Sequence, residues 1–200
     1  MAMAGSRSTT IWDDHPIEPA LRDGTANYRG RVLKEVTLWS VTSATPFHWI
    51  TSFSFADQIQ GETYGGISLN MSKPMRHEGT PAGHPNYLGS LDIQVRPNAY
   101  LISRRSVVTV TAKLVEGVTV GHIVDFIRQR RMHHYAFSQQ GSGCMYWQFT
   151  LLGALVSSGW IRDPNFLAEI QGQIEEAHKK YGQTLIPYPP VAGQFYTTTT

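Results

Sequence analysis

Hydrophobic and polar residues alternate most regularly between residues 47 and 55. One set is rich in aromatic residues and the other holds a single histidine. The first set is Trp49, Thr51, Phe53 and Phe55, and the second is His48, Ile50, Ser52 and Ser54. A period of two is typical of a β-strand whose faces differ in chemistry. The pattern therefore predicts a strand with His48 on its less aromatic face.

Further segments rich in β-branched residues predict four more strands. They are residues 32–41, 67–71, 91–95 and 106–113, and a short strand at residues 134–137 is also indicated. Glycines between residues 61 and 66 supply a turn, so residues 47–55 and 67–71 form a hairpin. That hairpin brings His48 near Ser68 or Asn70.

Three segments have the period of an amphipathic helix. The first follows Thr119 as its N-cap, the second begins at Cys144 and ends at Gly159, and the third starts at Asp163-Pro164. In the second helix the predicted buried residues are Met145, Phe149, Leu152 and Val156. Together these elements predict an α+β fold, a small antiparallel sheet packed against about three helices.

The length fits a single α+β domain with loose ends. We predict a flexible N-terminal arm at residues 1–30, a catalytic domain at residues 31–187 and an extended tail at residues 188–200. Hydrophobic residues make up 41% of the chain and charged ones 16%, enough to build a core. There is one cysteine and no long apolar run, so we expect a cytoplasmic protein with neither disulfide nor membrane span.

Several classes of chemistry lack their signatures. The eight histidines form no His-Glu-x-x-His pattern, and adjacent His133 and His134 would point apart on a strand, so we expect no metal. Gly141-Ser-Gly143 is not followed by the Lys-Ser/Thr of a phosphate-binding loop. No Gly-x-Ser-x-Gly pentapeptide marks a serine nucleophile. We therefore expect no cofactor.

Cysteine chemistry remains. At the start of a helix, the thiol of Cys144 would meet free N–H groups and a positive dipole, which lower its pKa. The alternative is a small buried core residue, as many free cysteines are. A cysteine nucleophile needs a base and a group that orients the base. We assign His48 as the base and Asn70 or Ser68 as the orienting group, with Asn70 preferred because its carbonyl accepts from an imidazole N–H.

Stabilisation of an oxyanion would come from the Cys144 N–H and a side-chain amide of Gln139 or Gln140, between which the sequence does not choose. We predict substrate contacts by residues near these groups: Trp49, Ser68, Gln139, Tyr146 and Trp147. Two basic patches are candidates for binding tRNA or another anion, although such runs are often only solvated. They are Arg104 with Arg105, and Arg128, Arg130 and Arg131.

The His48-Trp49 strand, the glycine turn and the Gly-x-Gly-Cys helix start resemble the permuted papain-like superfamily, which includes the lecithin retinol acyltransferase group. The resemblance implies an acyl-transfer enzyme with His48 as base and Cys144 as nucleophile. The sequence departs from that pattern in two places. The Ser68–Asn70 region replaces the family's second-strand histidine, and Gly143 replaces the asparagine before its cysteine.

The motifs His48-Trp49, Leu69-Asn70-Met71 and Gly141 to Trp147 are also similar to those of small uncharacterised fungal proteins. Such proteins occur in biosynthetic clusters, as do the arginine-containing cyclodipeptide synthases, which use aminoacyl-tRNA. This resemblance implies amide-bond formation from an aminoacyl donor. A thiol amidase or peptidase is the next alternative. A non-enzymatic module that binds RNA or protein is another, with Tyr135, Phe137, Tyr146 and Trp147 as a stacking surface.

Overall fold

The structure is a computed structural model that describes residues 20–42, 44, 46–57, 61–73, 88–138 and 142–196. Its strands are β1 (Ala20–Asp23), β2 (Leu33–Val41), β3 (His48–Phe55), β4 (Tyr64–Ser72), β5 (Ser90–Pro97), β6 (Thr109–Lys113), β7 (Tyr135–Ala136) and β8 (Gln194–Phe195). Its helices are α1 (Val120–Gln129), α2 (Cys144–Ser157) and α3 (Phe166–Tyr181). The predicted α+β class is confirmed.

The central sheet has six strands in the order β1-β5-β4-β3-β2-β6. The strands from β2 to β6 pair antiparallel, as expected, and β3 and β4 form the predicted hairpin. β1 instead pairs parallel with β5, with Ala20 opposite Ser90. The sheet is therefore mixed rather than purely antiparallel, because a short strand from the predicted arm joins its edge.

The two faces of the sheet differ in the way that the alternation predicts. The face that we call the apolar face packs against the helices and includes Val36, Leu38, Trp49, Phe53, Ile67, Leu69, Met71, Leu91 and Ile93, all buried. The opposite face, the polar face, includes Trp39, His48, Ile50, Ser52, Ser68, Asn70, Asp92, Gln94 and Arg96. His48 thus lies on the polar face, as predicted.

The helix boundaries follow local chemistry. Thr119 caps α1, since its side chain accepts from the His122 N–H while the His122 ring accepts from the Thr119 N–H. α3 begins later than Asp163-Pro164 predicts, with Asn165 as its N-cap. The Asp163 carboxylate is not itself the cap, because it accepts from the Asn165 N–H at 2.8 Å within the preceding turn.

The buried face of α2 is rotated relative to the prediction. Met145 and Leu152 are buried as expected, whereas Phe149 and Val156 are only half-buried. The residues that α2 buries are Met145, Trp147, Gln148, Leu151, Leu152 and Leu155. Almost every position of this helix is apolar, so the spacing alone gave no unique face.

Residues on both sides of the predicted domain, 31–187, take part in the described fold. Residues 20–30 contribute β1 and a short 3₁₀ turn, and Arg29 forms an ion pair of 2.5 Å with Asp125 of α1. At the other end, β8 pairs with β7, and Gly193 donates its N–H to the Tyr135 hydroxyl at 3.0 Å. Residues 1–19 and 197–200 lie outside the described residues. In the part of the chain described, no helix is long and apolar enough to cross a membrane.

Candidate functional site

The site lies at one end of the β3–β4 hairpin, where the two strands separate. Their pairing ends at Thr51 and Leu69, although β3 begins at His48 and β4 continues to Ser72. Because the N–H and C=O of one strand residue point the same way, those of Trp49 face the opened gap. They need partners from outside the sheet.

Helix α2 supplies those partners. Gln148 is fully buried, and its amide nitrogen donates to the carbonyl oxygens of Trp49 and Leu69 at 3.1 and 3.3 Å. Its amide oxygen accepts from the Thr51 hydroxyl at 2.7 Å. Sequence reasoning missed this residue. The sequence feature that could have identified it is a polar residue one turn after Cys144, in a helix that is mostly apolar.

Cys144 is the first residue of α2, as predicted. Its sulfur meets the backbone N–H of Trp49, the residue that follows the candidate base, and the N–H groups of Cys144 and Met145. Burial nevertheless raises the pKa of the Cys144 thiol, and the N–H groups only oppose this rise. The predicted lowering of the pKa is therefore wrong, because desolvation of the thiolate outweighs the helix start.

Only glycine fits immediately before this cysteine. Gly143 has φ of 146°, a value that side chains disfavour, and an added Cβ would lie 2.7 Å from the Tyr135 hydroxyl. That hydroxyl donates to the Gly143 carbonyl at 2.8 Å. Gly143 thus allows Tyr135, which is fully buried, to hold the start of α2.

On the polar face, the His48 ring meets Asn70. Nε2 of His48 lies 2.6 Å from Oδ1 of Asn70. An amide oxygen only accepts, so Nε2 carries the proton and Nδ1 keeps its lone pair. Burial lowers the pKa of His48, and the bond to Asn70 offsets part of the effect. The ring is therefore neutral at neutral pH and is held in one tautomer.

His48 and Cys144 approach the gap from opposite sides. The ring belongs to the polar face, whereas α2 packs on the apolar face and its thiol reaches the plane of the sheet at the Trp49 N–H. The hydrogen bond that the His48 ring makes is to Asn70, not to the thiol. Ser68, the other candidate to orient the ring, accepts instead from Arg96 Nε at 3.2 Å.

The remaining predicted substrate contacts fall into different surroundings. Trp49 and Trp147 are buried in the core, and the Trp147 indole donates to the Met132 carbonyl at 2.7 Å. Their side chains are therefore covered by the rest of the protein. Tyr146 is half-buried beside Cys144. Gln139 and Gln140 lie outside the described residues.

Burial covers three of the four aromatic residues of the predicted stacking surface. Tyr135 and Phe137, like Trp147, are buried in the core. Aromatic residues packed this tightly have no face free for a nucleobase. Tyr146, the fourth residue of that surface, is half-buried, so the other three serve packing in the core.

The two basic patches lie on different parts of the fold. Arg104 and Arg105 are exposed on the loop that follows β5. Arg128 forms an ion pair of 3.1 Å with Asp23, and the Arg130 guanidinium lies over the Phe126 ring at 4.4 Å. Arg131 is exposed at a φ of 51°. Arg128 and Arg130 of the second patch are thus engaged within the protein, whereas Arg104 and Arg105 form no ion pair within the described residues.

The adjacent histidines do not point apart as predicted. The rings of His133 and His134 contact each other edge to face, with centroids 4.4 Å apart, because the chain there is a turn rather than a strand. Burial lowers the pKa of His133 to about 4, and the nearby charges of His134, Arg128 and Arg131 add to this effect. Among the described residues no group of three or more His, Cys, Asp or Glu side chains is arranged for a metal.

These features define an α+β protein with a single cysteine at a helix start, beside a strand that carries a histidine–asparagine pair. A family model described as a domain of unknown function (DUF7770) matches residues 36–196. The chain therefore belongs to this family. The comparisons with curated proteins and with solved structures gave no match.

Proposed function

We propose that the protein is a cysteine-dependent acyl-transfer enzyme. The observation that carries the proposal is the His48 Nε2–Asn70 Oδ1 bond next to a helix-start cysteine, whose sulfur contacts the N–H of Trp49. A cysteine, a histidine and an asparagine are also the catalytic set of papain-like enzymes. This set supports the permuted papain-like relationship as part of the proposal.

The chemistry starts from two neutral groups, because burial raises the pKa of the thiol and lowers that of the ring. His48 Nδ1 takes the proton of the Cys144 thiol as the sulfur attacks the acyl carbon. The leaving group departs with that proton, and a thioester remains on Cys144. An amine then attacks the thioester, His48 accepts the amine proton, and the thiol is restored.

The Cys144 N–H is the oxyanion donor that the described residues offer, since the first N–H groups of a helix have no partner within it. Asn70 holds the proton on Nε2, so Nδ1 remains free as the base. Asn70 is thus a positioning residue.

Within this class, the specific proposal is amide-bond formation from an aminoacyl donor such as aminoacyl-tRNA, in the cytoplasm and without a cofactor. Arg104 and Arg105, which form no ion pair among the described residues, support an anionic donor. Hydrolysis of an amide is the alternative, and it differs only in whether water or an amine resolves the thioester. Exclusion of water from the acyl-enzyme favours the amine.

Alkylation of the one cysteine tests the pairing directly. We expect His48→Ala to slow the reaction of Cys144 with iodoacetamide at neutral pH by about tenfold, because the ring no longer takes the thiol proton. In the parent protein the rate should fall as the pH drops through the pKa of His48, which burial places below its ordinary value of 6.5, since a protonated ring is no base. Alkylation is measured by mass spectrometry, with circular dichroism as the check on folding.

A matched control is His178→Ala. His178 is also half-buried and hydrogen-bonded, with Nδ1 2.7 Å from the Ile186 carbonyl oxygen, but it lies on α3. Its loss should leave the alkylation rate unchanged. Equal rates in folded His48→Ala and in the parent protein would contradict the pairing of His48 with Cys144.

A further inference from the structure

A groove lies over the polar face of the sheet, between β2 and the loop that joins β5 to β6. Its volume is about 490 Å³, within the range of small-molecule sites. It is lined by Trp39, Ala99, Tyr100, Ile102, Ser103, Arg104 and Arg105.

The rim of the groove is cationic. Arg104 and Arg105 are exposed, and neither forms an ion pair within the described part of the chain, whereas Arg29, Arg31 and Arg128 all do. None of the described lining residues is acidic. Two adjacent guanidinium groups without a counter-charge are suited to phosphate or carboxylate oxygens.

The rest of the lining is flat and apolar. Tyr100 is 73% exposed, which is unusual for so large a side chain, and it forms one wall. Trp39 is nearly buried, and its indole N–H donates to the Ser52 hydroxyl at 2.9 Å. Tyr100 therefore offers a planar ligand a free aromatic wall, and the part of Trp39 that lines the groove offers a fixed floor.

The groove is built before any ligand arrives. The Ser52 hydroxyl donates to the Leu101 carbonyl at 2.8 Å, and the Ser40 N–H donates to the Ser106 hydroxyl at 3.0 Å. The Thr42 hydroxyl also donates to the Arg105 carbonyl, at 3.4 Å. The loop is thus held against β2 and β3, and binding would cost little ordering of the backbone.

The position of the groove connects it to the candidate site. In the β2–β3 ladder Trp39 lies opposite Ile50, and Val41 lies opposite His48. The floor of the groove is therefore two residues, about 7 Å, from the position of His48 along the strands. Both are on the polar face of the sheet.

We propose that this groove binds a small aromatic anion, a flat ring carrying a phosphate or carboxylate, as the part of the substrate remote from the reacting carbonyl. Arg104 and Arg105 hold the anionic group while Tyr100 and Trp39 pack on the ring. The role in substrate binding rests on the proposed function, but the binding itself does not. Binding of the remote part would position the acyl group beside His48.

Calorimetric titration of the full chain tests the proposal with four probes. Adenosine monophosphate and naphthoate carry a ring with a phosphate and a carboxylate, respectively. Adenosine and inorganic phosphate carry one half each. We expect at least one of the aromatic anions to bind more tightly than adenosine or phosphate, and raised salt to weaken the binding. The tighter of the two identifies the anionic group.

Variants locate the site. Arg104→Gln/Arg105→Gln should weaken that binding by about tenfold or more, and Tyr100→Ala should weaken it less. Arg131→Gln/Arg162→Gln removes the same charge from two other exposed arginines and should change the affinity by less than about twofold. His48→Ala should bind as the parent does.

Three results would overturn the proposal: no binding of either aromatic anion at millimolar concentration, equal losses in the two arginine pairs, or binding of one half as tight as that of the whole. Each is independent of the proposed chemistry. Suppose that an aromatic anion binds tightly but that His48→Ala does not change the alkylation rate of Cys144. That result would support the groove as a binding site and reject the acyl-transfer function. The reverse result would reject the groove alone.

Discussion

The two faces of the central sheet differ in what covers them and in the residues they hold. The apolar face is covered by the helices, and its side chains are buried. The polar face is partly covered by the loop after β5, and it holds His48, Asn70 and the groove. Where β3 and β4 separate, two side chains of α2 contact the backbone of Trp49. Gln148 donates to its carbonyl oxygen, and the sulfur of Cys144 contacts its N–H. The residues of the core thus lie on one face and the candidate functional residues on the other, except at this gap, where both kinds of residue are in contact.

The largest effect is expected at the gap itself. Gln148→Ala removes three hydrogen bonds and leaves two carbonyls and a hydroxyl buried without partners. We expect a loss of about 3 kcal/mol in the free energy of unfolding. Urea denaturation with an unchanged m-value would measure it.

Gln129→Ala is the matched control, an exposed glutamine at the end of α1. It should cost no more than about 0.5 kcal/mol. If the two variants lost the same stability, the hydrogen bonds of Gln148 between α2 and the sheet would contribute nothing measurable to the free energy of unfolding.

An intermediate effect on stability is expected from acidification, because of His133 in the turn after α1. His48 has an amide partner, whereas Nδ1 of His133 has none among the described residues. The pKa of His133 is lowered to about 4. The unfolded chain therefore takes up a proton near pH 6.5, before the folded one does, and stability falls between pH 6.5 and 4.

We expect this histidine to contribute about 1 kcal/mol to the loss, after allowance for the exposure of its ring to water. The measurement is the free energy of unfolding at pH 7 and pH 4.5 in the parent and in His133→Gln. The variant should lose less on acidification. Parallel pH curves for the two proteins would show that His133 is not the titrating group.

The smallest effect is expected on β6, the edge strand of the sheet, where the polar face is exposed at Thr111. Thr111→Val breaks a hydroxyl pair with Thr37 of 2.9 Å across β2 and β6. Because Thr111 is exposed and valine favours strands, the change in stability should stay within about 0.5 kcal/mol. A loss of stability as large as that of Gln148→Ala would contradict the claim that the polar face contributes less to stability than the gap does.

Local patterns were sufficient to predict much of the fold. Alternation around His48 gave β3 and the face on which the histidine lies, and the glycine turn gave the hairpin that brings Asn70 to it. The Thr119 cap and the Cys144 helix start were likewise encoded within a few residues. Such features depend on neighbours in sequence.

Features that depend on distant contacts were not predictable. β1 is four residues long and is defined only by its pairing with β5. The pKa of Cys144 depends on how deeply the whole fold buries the sulfur, so a local argument from the helix start gave the wrong direction. Gln148 gains its role from two strands far away in the chain.

The Tyr135 hydroxyl bonds the carbonyl before Cys144 and also the N–H of Gly193. An added Cβ on Gly193 would lie 2.2 Å from that oxygen, so this contact admits only glycine. The segment around Gly193 thereby supports the start of the helix that carries the cysteine. We therefore expect truncation of the protein before residue 193 to alter the surroundings of the thiol, although Gly193 and Cys144 are far apart in sequence.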